Sequence, residues 1–188
     1  MKRSTLLATS LLASVFAVSA APARAAEQTV MVGGQAMYPN KNIVANAVNS
    51  SDHTTLVAAV KAAGLVPTLE GKGPFTVFAP TNEAFNALPP GTVDTLVKPG
   101  NKAALTKILT YHVVPGDYTT TKLRAMIVHG GGVAKLKTVE GGELDVRMNG
   151  SSNLTVTDAK GDVADITVSD VTQSNGVIQV VDKVLMPN

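Results

Sequence analysis

Apolar positions along this chain follow three spacings, and each predicts a different kind of element. Leu6 through Val18 is a nearly unbroken apolar run, interrupted by Thr9, Ser10 and Ser14. Residues 26–40 are polar and contain glycine, and read as an extended leader. Helical spacing follows. Ile43, Val44, Ala47 and Val48 share one stripe behind Asn42, a residue that caps helices by accepting from an early backbone N–H. Leu56, Val57 and Val60 form a second stripe, beginning at Asp52 or Thr54 and stopped by Gly64. Pro67 to Pro74 reads as a loop and Phe75–Phe78 as a buried strand closed by Pro80. Thr81 is placed to cap a short helix over Asn82–Phe85, where Glu83 suits the positive helix N-terminus. A short helix is expected near Val93–Val97. A stronger one, capped by Asn101, carries Ala104, Leu105, Ile108, Leu109 and His112 on one face.

Beyond Pro115-Gly116 the period shortens to two. Leu136 and Thr138 alternate with lysines, and Leu144, Val146 and Met148 with polar neighbours. Leu154, Val156, Ile166 and Val168 continue that pattern. Asn149-Gly150 and Asn175-Gly176 are turn signals, because both residues tolerate positive φ. Helices concentrated in the N-terminal half and antiparallel strands in the second half predict α+β, or a β-sandwich decorated with helices.

Composition changes the picture mainly at the N-terminus. Lys2 and Arg3 precede the apolar run, and Ala23-Arg24-Ala25 follows it with small residues where a signal peptidase needs them. Residues 1–25 therefore read as a secretory signal cut after Ala25, with Val18-Ser19-Ala20 as an alternative site. The run is short for a membrane span, which takes about 20 residues, so no integral span is expected after removal. Cleavage leaves 163 residues, enough for one domain with a real core. It also takes away Lys2, Arg3 and Arg24, so the mature chain has 13 basic against 14 acidic side chains, a net charge of −1. The remaining lysines are scattered, which argues against a nucleic-acid partner. There is no cysteine, so disulfides, thiolate metal sites and cysteine nucleophiles are excluded.

Three segments carry a recognisable pattern. Thr76-Val77-Phe78-Ala79-Pro80-Thr81-Asn82-Glu83-Ala84-Phe85 resembles the first signature box of the fasciclin domain. Tyr111-His112-Val113-Val114-Pro115-Gly116 resembles the Tyr-His motif of that family, and Asn175 through Pro187 its closing box. Leu136 through Leu144 also fits. The resemblance spans residues 40–187 and implies a wedge-shaped β-sandwich with helices on one side, here over residues 41–188. It implies adhesion or binding outside the cytoplasm, periplasmic or secreted, with a protein or surface polysaccharide as partner. It implies no reaction. In animal members the Tyr-His motif is associated with integrin binding, which makes Tyr111 and His112 the candidate binding residues. A histidine on that apolar helix face also suits a core role, bonded to backbone or a hydroxyl. The closing box departs from the family at Gln179, where many members have histidine, and no Arg-Gly-Asp tripeptide is present.

Candidate chemistry beyond the motif is sparse. No Gly-x-Ser-x-Gly elbow or nucleotide fingerprint occurs, and His53, His112 and His129 have no paired spacing. His53 reads as an exposed residue at a helix start. Asp158, Asp162, Asp165 and Asp170 are an acidic concentration without the ligand ladder of a calcium loop. The expectation is therefore no catalytic residue, no metal, no cofactor and no enzyme activity. An alternative is a binder of a small lipophilic or haem-like ligand, with Tyr111, His112, Met126 and His129 reaching it if they converge.

Overall fold

The computed structural model describes residues 29–188; the expected export signal lies outside them. The first strands, β1 (Val30–Val32) and β2 (Gln35–Met37), pair antiparallel. The polar leader is thus in part a hairpin, and it places Val32 and Met37 in the core. Five helices follow around one strand: α1 (Ile43–Ala47), α2 (Thr54–Ala63), α3 (Val66–Leu69), β3 (Phe75–Pro80), α4 (Asn82–Asn86) and α5 (Thr92–Leu96). Then come α6 (Lys102–Tyr111), β4 (Val113–Pro115) and α7 (Thr120–His129). The remaining strands are β5 (Ala134–Lys137), β6 (Glu143–Asn149), β7 (Asn153–Thr157), β8 (Val163–Gln173) and β9 (Gly176–Val181).

Local signals act where they were read. Asn42 Oδ1 accepts from Ala45 N–H at 2.7 Å, Thr81 Oγ1 from Ala84 N–H at 3.3 Å, and Gly64 ends α2 with φ of 74°. Three details differ. Asn101 does not cap α6 with its side chain; its amide donates to Thr95 O. Within α1 the interior position goes to Asn46, while Val48 stays exposed. The expected loop after Pro67 begins as α3, and the strand-rich half contains α7, capped by Thr119. Only Leu123 and Ile127 of α7 are fully buried, so its apolar stripe is thin.

Seven strands join in the order β4-β3-β9-β8-β7-β6-β5. All neighbours are antiparallel except β3 and β9, which pair in parallel from Phe75↔Gly176 to Pro80↔Val181. Strand β8 carries register shifts between Ile166 and Val171, so its first part pairs with β7 and the rest with β9. The sheet curls until its ends meet: Val139 N–H, just past β5, donates to Val113 O in β4 at 2.7 Å.

Strands β3 and β9 form the wall between two cores. Val77, Ala79, Ile178 and Val180 face the helices, whereas Phe78 and Val181 face the interior of the curled sheet. Burial on both faces is why these segments read as continuous apolar runs instead of alternating ones. Close backbone approach explains the glycine that opens β9. A Cβ on Gly176 would lie 1.9 Å from Phe75 O. Asn175 beside it accepts from Ile43 N–H and donates to Leu69 O and Gly71 O, tying the turn to α1 and α3.

Candidate functional site

Tyr111 and His112 end helix α6 and enter β4, so consecutive side chains diverge. Tyr111 goes to the sheet-side core and is 0% exposed. Its hydroxyl donates to Glu143 O at 2.7 Å and accepts from Ala159 N–H at 2.9 Å, which joins the loops before β6 and after β7. Burial raises its pKa; the Ala159 N–H opposes this, while the carboxylates of Asp158, Glu140 and Asp145 add to it. Gly142 lies against the ring, where a Cβ would come within 2.8 Å of Cε2.

His112 is 2% exposed. Its Nδ1 lies 2.8 Å from Ile108 O, an acceptor, so Nδ1 carries the proton and donates. Nε2 is then free to accept, and receives Leu185 N–H at 2.9 Å. Both nitrogens are engaged in a single neutral tautomer. Desolvation lowers the pKa to about 4, against smaller upward pulls from the Ile108 carbonyl and Asp158. The ring holds the C-terminal segment against α6. Asp158 holds the same segment from the other side: Oδ2 accepts Met186 N–H at 2.8 Å, and Oδ1 accepts Lys160 and Asp162 N–H, each at 2.9 Å. Its carboxylate is occupied by backbone donors.

Gln179, the departure in the closing box, is fully buried in a polar knot. Its amide nitrogen donates to Tyr118 O and Asp170 Oδ1, and its oxygen accepts Asp170 N–H at 3.0 Å. Asp170 sits at the β8 irregularity with φ of 56°, and its carboxylate also accepts from Thr120 at the start of α7. One amide thus supplies donors and an acceptor together, a set that a neutral imidazole offers only once each.

Two concavities flank the pair. An open cleft of about 730 Å³ lies outside Tyr111, bordered by Lys107, Glu140, Glu143, Asp145 and the last residues of the chain. Its acids are partly paired: Lys107 lies 3.8 Å from Glu140, and Lys135 lies 3.6 and 3.7 Å from Glu143 and Asp145. His112 lines a different space, an apolar cavity under α1, α2 and α3. Met126 is half-buried on α7 and His129 is exposed at its end, where Nδ1 donates to Ala125 O. Neither lines that cavity with His112, and Tyr111 does not either. The four residues named for a small ligand therefore share no cavity. His53 corrects the reading of an exposed helix start: it is 3% exposed and lines the apolar cavity.

The fasciclin domain model matches residues 51–187. This chain belongs to the fasciclin domain family. Protein sll1483 of Synechocystis sp. is 46% identical over 172 residues, covering 90% of this chain and 87% of that protein. The transforming growth factor-beta-induced protein ig-h3 of Sus scrofa is 42% identical over 134 residues, 70% of this chain but 17% of that much longer one. Among solved structures, a FAS1 domain pair from the insect cell adhesion molecule Fasciclin I superposes with a TM-score of 0.71 at 18% identity. That superposition covers 79% of this chain and 52% of the other. The α+β fasciclin fold expected from the three boxes is the one observed. Among the described residues no helix is long and apolar enough to cross a membrane.

Sequence reasoning missed His53, Asp158 and Gln179 as organising groups. Each sits in a polar-looking stretch, and only contacts more than a few residues away, or burial by the hairpin and C-terminal segment, give it its role. Gln179 alone left a trace, as a polar residue inside the apolar run Val177–Val181.

Proposed function

We propose that this fasciclin domain is an extracytoplasmic adhesion or binding module that recognises a protein or a surface polysaccharide, without catalysing a reaction. The observation that carries the reading is the family match over residues 51–187, shared in fold with a domain pair of a protein titled a cell adhesion molecule. The export signature of residues 1–25 supports a periplasmic or secreted location.

Tyr111 and His112 serve this function from inside. With both polar ends satisfied by backbone, they hold the loops and C-terminal segment that form the open cleft. Recognition falls to the cleft rim, where Glu143 is 61% exposed and Lys107 48%. Carboxylates, a lysine and loop backbone set on a rigid wall suit hydroxyl-rich or basic partners.

Immobilised mature protein is expected to retain envelope polysaccharide or extracellular protein from its source. A Glu143→Lys/Asp145→Lys variant should retain at least about tenfold less at unchanged Tm, a loss of about 1.4 kcal/mol. Retention unchanged in that variant would move the contact to another face. No retention by the folded wild-type protein would overturn the adhesion reading.

A further inference from the structure

Below α1, α2 and α3, against the inner wall of β3 and β9, lies a cavity of about 100 Å³. Native interiors leave few voids larger than one water, and about 10–15 Å³ suffices for a water. This space is therefore several waters large. Its walls come from side chains such as Ala47, Leu56, Val60, Phe75 and Ile178, which offer water nothing to bond.

One polar group stands in that wall. His53 is 3% exposed; its Nδ1 lies 2.8 Å from Ser50 Oγ, and its Nε2 is buried with no hydrogen-bond partner. Desolvation holds the ring below the usual imidazole range. The Ala79 carbonyl and Asp52 pull the other way without supplying Nε2 with a bond. The carbonyl favours the tautomer protonated at Nε2, with Ser50 donating to Nδ1, so the unmet group is an N–H donor. A buried unpaired donor is disfavoured, and an incoming oxygen acceptor relieves that penalty. His112, the other imidazole on the wall, has both nitrogens engaged and competes for nothing. The wall also includes Lys61, Thr68 and Val139, which are exposed and mark where the cavity approaches the surface.

We propose that this cavity is a binding site for a ring-sized apolar molecule carrying one carbonyl oxygen, which accepts from His53 Nε2. The site is separate from the cleft outside Tyr111 and does not rest on the adhesion reading. A similar apolar void of 150 Å³, engineered in another protein, takes up benzene, so the size is adequate for one ring.

The test is an NMR titration of the full mature chain with acetophenone and with ethylbenzene, the same shape without the oxygen. Both should give saturable shifts at Val60 and Ile178, and acetophenone should bind about fivefold more tightly, the worth of one net hydrogen bond. His53→Phe should erase that preference, and Ala47→Leu, which fills the space, should abolish both titrations. Should His53→Phe not fold, the Nε2 resonance of His53 in the wild-type protein decides: it must move with acetophenone and not with ethylbenzene. Absence of saturable shifts, equal affinities for the two probes, or shifts confined to surface residues would overturn the proposal.

Discussion

The two cores that β3 and β9 separate are built to different standards. On the sheet side, Phe78, Leu123, Leu144, Val146 and Val156 are completely enclosed, and the buried hydroxyl of Tyr111 has both a donor and an acceptor. On the helix side, short helices of five, ten and four residues close over the wall and leave a cavity with an unmatched imidazole N–H. The difference lies in who supplies the cover. Strands joined by ladder hydrogen bonds hold their side chains at a fixed spacing, whereas short helices pack only through side chains and tolerate a gap. Ligand pockets are drawn from such apolar concavities with a few polar groups, and the sheet-side core is the rigid support against which the other can adjust.

Core truncation should break this comparison most visibly. Phe78→Ala, at the centre of the packed side, is expected to cost about 3–5 kcal/mol. Leu56→Ala, already beside a void, should fall at the low end of the range, about 2 kcal/mol. Urea midpoints at constant m-value measure both. Equal losses would mean that the two cores are equally tight.

Acid should act next, through His112. Its folded pKa is about 4, below the usual 6.5, so between those values the unfolded chain binds a proton that the folded one refuses. Stability is then full above pH 6.5 and falls as pH drops towards 4, by about 3 kcal/mol across the window. His53 shifts in the same direction and adds to the loss. A His112→Gln variant should be less stable at neutral pH and show a flatter pH profile between 4 and 6.5. An unchanged slope would remove His112 as the cause.

Tyr111→Phe isolates one polar anchor of the packed side. It strands Glu143 O and Ala159 N–H at the cleft floor and should cost about 1–3 kcal/mol. A loss below about 0.5 kcal/mol would show that water replaces the hydroxyl. The smallest effect sharpens the contrast from the loose side: Ala47→Leu should stabilise by about 0.5–1 kcal/mol by filling space. Destabilisation there would mean the cavity is already as full as the backbone allows.

How much of this was legible depended on distance along the chain. Asn42, Thr81 and Gly64 act within four residues of themselves, and each was read correctly from its neighbours. Helix α7 escaped notice because two buried residues, Leu123 and Ile127, make too thin a stripe between Pro115-Gly116 and Gly130-Gly131-Gly132. The candidate pair Tyr111-His112 was found through its motif. That its members face opposite cores was not visible, since neighbours at the end of a helix diverge by an angle that only packing resolves.

By itself the sequence determined the fasciclin family, the α+β class, most helix ends and both Asn-Gly turns, because caps, turns and periodicity depend on a few adjacent residues. Tertiary structure alone decided the parallel joining of β3 to β9, roughly 100 residues apart, and with it the wall that creates two cores. It also decided that His53 is buried and that His112 latches the C-terminal segment. Those roles come from the partners that the fold brings to each imidazole, and no local pattern encodes which carbonyl, N–H or void will face a ring once the chain has closed around it.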